Sequence, residues 1–358
     1  RRSGGRMRTP GVESLYRFAW RHVRRLPSGL GYALFHLAGD AAWLAHRLRA
    51  GRGGVGQLER NLSRLLPDAD RRELSRATRA AMRSYMRYFY EAFALPGLTP
   101  DQRAARVRPV MGPEVRRDAS RGSIVIALPH MGNWDMVGAW ACTELAQVLT
   151  VAERLEPPDL FEQFVAFRRG LGMRIIGQAR GERVFEPLVE AAEQGRYVIA
   201  LLADRDLSSS GVEAPLCGCA AHVAAGPAAV AERLGLPLYA ATVHYERLTG
   251  ARRRAAGGPW GVVITLHKVP APPGAGGREA VAEGTRAWDR PRPGRSRRRP
   301  AHAPGRLRRR PRPRAPGPLP GPGGAGMRIG LVCPYSLDAP GGVQVHVMEL
   351  AAALMRRG

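Results

Sequence analysis

The chain has 358 residues, 44% of them hydrophobic, and its 56 Lys and Arg against 30 Asp and Glu give a formal net charge of +26. That apolar content suffices for a sizeable core, which excludes a wholly disordered chain, and the length admits one large domain or two ordinary ones. The four cysteines, Cys142, Cys217, Cys219 and Cys333, form no CxxC pair, which excludes a disulfide scaffold and argues for a reducing compartment. Residues 290–326 alone hold twelve Arg and no acid; without them the balance is still +14. A surplus of that kind favours anionic partners such as phospholipid headgroups, nucleic acid or phosphorylated cofactors. Lys268 is the one lysine. That bias reflects GC-rich codons more than function.

Residues 12–50 are helical in pattern, with a break at Pro27-Ser-Gly-Leu-Gly31. Val12, Leu15, Phe18, Ala19, His22 and Val23 recur at helical spacing with Arg17, Arg21, Arg24 and Arg25 between them; Phe35, Leu37, Trp43 and Leu44 make the second half more apolar. A basic amphipathic helix with aromatics suits a membrane interface; a helical hairpin packed on its own domain is the other reading. Further helices follow over 56–95, one ending at Pro67 and the next capped by Asp70. On the latter, Leu74, Ala77, Ala81, Tyr85, Tyr88 and Phe89 gather toward one face, as core residues do. No segment has the roughly 18 apolar residues of a membrane span, and the N-terminus lacks a signal-peptide pattern, so the expectation is a protein that is soluble or rests on a membrane surface.

From 123 to about 288 the pattern alternates. Strands are predicted at 123–128, 148–152, 173–177, 197–203, 237–243 and 260–269, with helices near 134–147, 158–171, 182–194 and 226–235. This predicts an α/β fold, a mostly parallel central sheet flanked by helices, with an N-terminal helical region. The expected division is 1–110 for that helical region and 111–289 for the α/β domain. Arg, Pro and Gly fill 29 of the 37 positions of 290–326, which cannot form a packed core. At Met327 a short strand pattern begins, and Gly341-Gly342 opens a helical one.

The chemistry concentrates at Ser123-Ile-Val-Ile-Ala-Leu-Pro-His130-Met-Gly-Asn-Trp-Asp135. A buried strand delivers a histidine and an aspartate to its carboxyl end, where ligands bind in open α/β sheets. On a continuous helix residues five apart sit about 140° apart and would not meet. With His130 in the loop and Asp135 in the first helical turn, Gly132-Asn133 can fold the chain back. The carboxylate is then expected to hold one ring nitrogen and leave the other as a general base. The motif contains no serine or cysteine, so the nucleophile is expected from the substrate, most simply a hydroxyl. Amides at the helix start are candidates to stabilise an oxyanion, with Gly132 and Asn133 against the substrate.

Leu128-Pro-His-Met-Gly-Asn-Trp-Asp135 resembles the His-x4-Asp/Glu signature of bacterial lysophospholipid-type acyltransferases, in the branch that includes the lipid A late acyltransferases. Other blocks agree in order: Ala152-Glu-Arg-Leu-Glu156, Phe167-Arg-Arg-Gly-Leu-Gly172, Leu201-Leu-Ala-Asp-Arg-Asp206 and Ala225-Gly-Pro-Ala-Ala229, with Asn61-Leu and Arg83-Ser-Tyr-Met-Arg-Tyr88 upstream. The resemblance spans about 12–288. It implies acyl transfer in which His130 deprotonates an acceptor hydroxyl, Asp135 orients His130, and Asp204 with Asp206 assists the site or binds the acceptor. Arg154 and Arg168 are candidates for holding phosphates, since guanidinium matches phosphate geometry. Where the family shows a Gly-Glu-Pro-like turn followed by an arginine, this chain has Cys217-Gly-Cys-Ala-Ala-His222, which removes local binding contacts.

The last 32 residues, 327–358, resemble the start of glycosyltransferases that mannosylate phosphatidylinositol, through Met327-Arg-Ile-Gly-Leu-Val-Cys-Pro-Tyr-Ser336 and Pro340-Gly-Gly-Val-Gln344. Such an enzyme needs two Rossmann-like domains, so no mannosyltransferase activity is expected. The 290–326 tract has three readings: a nucleic-acid-binding tail, an anionic-lipid-binding tail, or sequence read out of frame that joins two adjacent genes. The abrupt end of the resemblance favours the third. The neighbouring gene narrows the expected acceptor to a mannose hydroxyl of a mannosylated phosphatidylinositol, with acyl-CoA as donor co-substrate and no metal or tightly held cofactor. The expected location is peripheral, on the anionic cytoplasmic face of the cell membrane, with no nucleic-acid partner. The rival readings are another glycolipid or lysophospholipid acceptor, and a non-catalytic basic protein that binds nucleic acid or membranes.

Overall fold

The computed structural model describes residues 18–48, 54–66, 68–154, 158–179, 182–204, 211–216 and 219–270. The chain enters through a helical turn and a short 3-10 segment, Val23–Arg25, that ends before Pro27. Three helices follow: α1 Ser28–Leu48, α2 Gly54–Leu65 and α3 Arg71–Ala94. Asp70 caps α3 as expected, its side chain accepting the Glu73 N–H at 2.7 Å. Helix α1 lies close on α3. At Gly39 a Cβ would stand 3.1 Å from the Met82 carbonyl oxygen, so the small residue sets the approach. Beside it Asp40 accepts from both Arg79 and Arg83.

Helices α4 Pro100–Arg106 and α5 Pro113–Arg121 flank strand β1 Val107–Val110. Thr99 and Gln102 form a reciprocal capping box at the start of α4. The remaining elements are β2 Ile124–Leu128, α6 Trp134–Glu144, β3 Gln147–Glu153, α7 Pro158–Gly170, β4 Arg174–Gln178, α8 Phe185–Glu193, β5 Tyr197–Leu202, β6 Val212–Leu216, β7 Cys219–Val223, α9 Gly226–Leu234, β8 Leu238–Arg247, α10 Gly250–Ala255 and β9 Trp260–Lys268.

Seven strands form one sheet in the order β1-β9-β8-β2-β5-β3-β4, and β6-β7 make a separate antiparallel hairpin. Within the large sheet every pair is parallel except β8-β9. The fold is therefore α/β with a mostly parallel sheet. Burial on both faces explains why the central strands read as continuous apolar runs: all five residues of β2 are buried. Alternate side chains enter opposite cores. Ile124, Ile126 and Leu128 join Met136, Trp140 and Val165 on one face. Val125 and Ala127 join Leu188, Ile199 and Val230 on the other.

Three features depart from the sequence pattern. Strand β1 falls inside the region expected to be helical, and its Pro109 interrupts the apolar pattern; an edge position tolerates the missing N–H. Helices α4 and α5 and the β6-β7 hairpin are too short and too polar or small-sided for periodicity to show. Ala92 and Leu95 belong to the same core as Ile126 and Tyr239, so the end of α3 and the sheet share one interior, while α1 and α2 pack with α3 in two smaller clusters. The 290–326 tract and the 327–358 tail lie outside the described residues.

Candidate active site

Strand β2 ends at Leu128, and Pro129 turns the chain so that His130 stands at the carboxyl edge of the sheet. Strand β5 lies beside β2 in register, Leu128 opposite Leu202, and runs out two residues later at Asp204. The two strand ends therefore bring His130 and Asp204 side by side. The Asp204 carboxylate accepts the His130 backbone N–H at 3.1 Å and lies 2.9 Å from the ring Nδ1. Asp204 is 2% exposed, while the histidine side chain keeps 25% of its surface open. A buried carboxylate on Nδ1 favours the tautomer with its proton there, which makes Nε2 the basic nitrogen.

Asp135 does not occupy that position. It is fully buried in the first turn of α6, where Oδ2 accepts from the Tyr88 hydroxyl at 2.8 Å and Oδ1 from Arg168 Nε at 2.9 Å. The expected pairing of Asp135 with His130 is corrected accordingly. Once α6 begins, its second residue turns inward toward α3 and α7, whereas the loop histidine faces β5. Arg168 is corrected with it. Rather than reaching for a phosphate, its guanidinium is spent on Asp135 and stacks 4.2 Å from the Trp134 ring. Burial opposes its charge, but Asp135 and Tyr88 outweigh that and hold the guanidinium above its ordinary value. The trio stitches α3, α6 and α7 together beneath the His130 loop.

Asn133 and Gly132 also serve the loop rather than a ligand. Asn133, expected against the substrate, is fully buried; it caps α6 by accepting the Met136 N–H at 2.9 Å and donates to Glu91 Oε2 at 2.8 Å. That cap also occupies one of the helix-start amides expected to face an oxyanion. Gly132 has φ +65, and a Cβ there would stand 2.7 Å from the Val243 carbonyl oxygen, so both backbone and space require glycine. Arg154 is exposed at the end of β3, its N–H bonded to the Gln178 carbonyl at 2.8 Å, with its side chain beside Gly177 and Phe161. Asp206 lies outside the described residues.

Sequence reasoning missed the support beneath this loop. Glu91, 2% exposed, accepts from Tyr32 at 2.7 Å as well as from Asn133, and Arg106 donates to the Tyr32 hydroxyl at 3.2 Å. The available signal was Glu91 itself, a lone acid inside the apolar run Tyr90-Glu91-Ala92-Phe93-Ala94. Tyr88, read as core, supplies a buried donor to Asp135. Beside the site an apolar cavity of about 50 Å³ runs along the strands, from Leu128, Trp134 and Leu202 near the carboxyl edge to Val148 and Val198 at the far end. Met173 lies along its wall, with the Gly138 backbone facing it.

Residues 6–253 match the bacterial lipid A biosynthesis acyltransferase family, and the chain belongs to it. It is an acyltransferase by that membership. The phosphatidylinositol mannoside acyltransferase of Mycolicibacterium smegmatis is 38% identical over 236 residues, 64% of this chain and 74% of that protein. The protein of the same name from Mycobacterium tuberculosis is 35% identical over 227 residues, 62% and 69% of the two chains. A separate 32-residue segment, 9% of this chain, is 62% identical to the phosphatidyl-myo-inositol mannosyltransferase of Mycobacterium leprae, covering 9% of that protein. Among solved structures, the 1-acyl-sn-glycerophosphate acyltransferase of Thermotoga maritima aligns over 74% of this chain and 94% of its own at 14% identity. Its TM-score is 0.33.

Proposed function

We propose that the protein transfers a fatty acyl chain from acyl-CoA to a mannose hydroxyl of a phosphatidylinositol mannoside, with His130 as general base and Asp204 as its orienting carboxylate. The observation that carries the reading is the His130–Asp204 contact at the carboxyl edge of the sheet. His130 Nε2 takes the proton of the acceptor hydroxyl as that oxygen attacks the thioester carbonyl. The tetrahedral intermediate collapses by breaking the carbon–sulfur bond, and the imidazolium returns the proton to the departing thiolate. Asp204 stabilises the transient imidazolium and keeps the ring in one tautomer. No nucleophile from the protein is required, because the attacking oxygen is the acceptor's own.

The apolar cavity beside His130 supports a fatty chain as the transferred group. It is narrow, and Met173 is the wall residue best able to give way, its thioether being unbranched and adaptable. The names of the two mycobacterial relatives support the acceptor. The surface of α1 supports a peripheral position on the cytoplasmic face of the membrane. Leu30, Leu34, Leu37, Leu44 and Leu48 recur every three to four residues or multiples of seven, so they share one face, and all are exposed. Exposed Arg21, Arg24, Arg25 and Arg47 lie on or beside the same segment, as an anionic lipid surface would favour. No helix of the described residues is long and apolar enough to cross a membrane.

The test is an acyl-CoA assay of purified protein against mannosylated phosphatidylinositol, other glycolipids and lysophospholipids. His130→Ala should lower kcat by about 10²–10⁴-fold on the mannosylated acceptor. Full activity in that variant overturns the catalytic reading, and preferential acylation of a lysophospholipid replaces the acceptor.

A further inference from the structure

Around Trp260, the first residue of β9, positive charge collects. Arg87, on α3, is 7% exposed, and its guanidinium lies 3.5 Å from the centroid of the Trp260 ring and 4.7 Å from that of Tyr245. Among the described residues no carboxylate forms an ion pair with it, and its Nε is buried without a hydrogen-bond partner. Arg247, paired with Trp260 across the β8-β9 ladder, lies 4.7 Å from the centroid of the same indole and is exposed. Arg106, 2% exposed, sits at the back of the cluster, donating to the Tyr32 hydroxyl and the Ala256 carbonyl. The one buried carboxylate nearby, Glu91, favours the charge on Arg87 from a distance and faces Tyr245, but its two oxygens accept from Tyr32 and Asn133 and it forms no ion pair with Arg87. Arg83, one turn before Arg87, is spent on Asp40.

The uncharged groups repeat the imbalance. Trp260 Nε1 and His36 Nε2 are both buried and both without a hydrogen-bond partner. Burial, then Arg87 and Arg83, push the His36 imidazole toward its neutral form. A buried guanidinium donor with no acceptor is costly, and buried donors are almost always paired in folded proteins. Here two of the orphan atoms, Arg87 Nε and Trp260 Nε1, are obligate donors. What would satisfy them is an anion rich in acceptor oxygens.

We propose that Arg87, Arg247 and His36, around Trp260, form a binding site for a phosphate group, separate from the His130–Asp204 pair. Two guanidiniums offer the forked donors that match phosphate oxygens, and exposed Arg247 forms the entrance. A phospholipid headgroup and a soluble phosphate share this chemistry. The site does not depend on the acyl-transfer reading, and its test measures binding rather than turnover, so failure of either leaves the other standing.

The test compares full-length wild type with Arg87→Met, Arg247→Ala and, as a control of equal charge loss, Arg254→Ala, which removes an exposed arginine of α10. Two probes are used. One is inorganic phosphate, followed by titration calorimetry. The other is the increment in co-sedimentation that phosphatidylinositol adds to phosphatidylcholine vesicles. Wild type should bind at least one probe, and Arg87→Met and Arg247→Ala should weaken that binding about tenfold or more while Arg254→Ala does not. Loss of both responses assigns the site to phosphate in general, and loss of the vesicle increment alone assigns it to a lipid headgroup. Arg247 is exposed, so its variant keeps the test decisive even if Arg87→Met folds poorly. Wild-type binding in both variants, or a wild type that binds neither probe, overturns the proposal.

Discussion

Two aspartates near the His130 loop do different work, and substitution separates them. Asp204→Asn keeps the side-chain volume but replaces one of the two oxygens that grip the histidine N–H and Nδ1 with a donor. Its expected effect is kinetic: kcat falls by about 10²–10⁴-fold with little change in stability, because the orienting charge behind the base is gone. Asp135→Asn removes the charge facing Arg168, whose side chain is 11% exposed. Stripping one partner from a buried ion pair costs about 3–5 kcal/mol, so the urea midpoint should fall first and any kinetic loss should follow from misfolding. Paired kcat and urea-midpoint measurements on both variants decide it, and the reverse pattern would return Asp135 to the role its spacing suggested. The same two residues show the limit of reading a motif. Five positions of spacing join His130 to Asp135, but the residue that meets the ring is Asp204, 74 positions away, because β5 inserts beside β2.

Helix α1 has two distinct faces. Its inner face packs on α3 and is clamped by Asp40 between Arg79 and Arg83, whose hydrogen bonds hold the Asp40 carboxyl far below the usual carboxylate range. The folded state therefore binds this proton less readily than the unfolded one, so the clamp contributes in full above about pH 4 and is lost as pH falls further. Urea midpoints measured from pH 6 to 3 should decline more steeply for wild type than for Asp40→Asn. The outer face carries leucines with Leu37 63% and Leu48 78% exposed. Leu37→Glu with Leu44→Glu should abolish most binding to anionic vesicles while leaving the unfolding free energy within about 0.5 kcal/mol of wild type, since exposed positions away from the core carry little stability. Unchanged vesicle binding would remove α1 from the membrane contact.

At the scale of the molecule, the end of α3 and the sheet form one interior. Ala92 and Leu95 pack in the core that holds Ile126, Met136 and Tyr239, and β1, inside the expected helical region, is hydrogen-bonded to β9. A boundary at residue 110 would cut through that core. Loss of α3 should thus unfold the sheet with it, so tryptophan fluorescence and far-ultraviolet circular dichroism should trace a single coincident urea transition. Two separated transitions would show that the helical region stands alone.

Sequence by itself determined the class of fold, the position of His130 at a strand end, and α3 as a packed helix, though not which of its residues are buried. Each of these is written in local order: a continuous apolar run for a strand buried on both faces, Pro129 as its terminator, and a 3.6-residue period for a packed helix. Local order also carried the ordered blocks that resemble the acyltransferase branch, which the match over residues 6–253 bears out. Only the tertiary structure decided which carboxylate lies against His130, that Arg168, Asn133 and Gly132 build the loop rather than face a ligand, and that Arg87 is buried beside Trp260. The reason is physical. Strand order in a parallel sheet, and the direction a side chain takes once a helix has begun, arise from contacts between segments far apart in the chain, and no spacing within a single motif contains them.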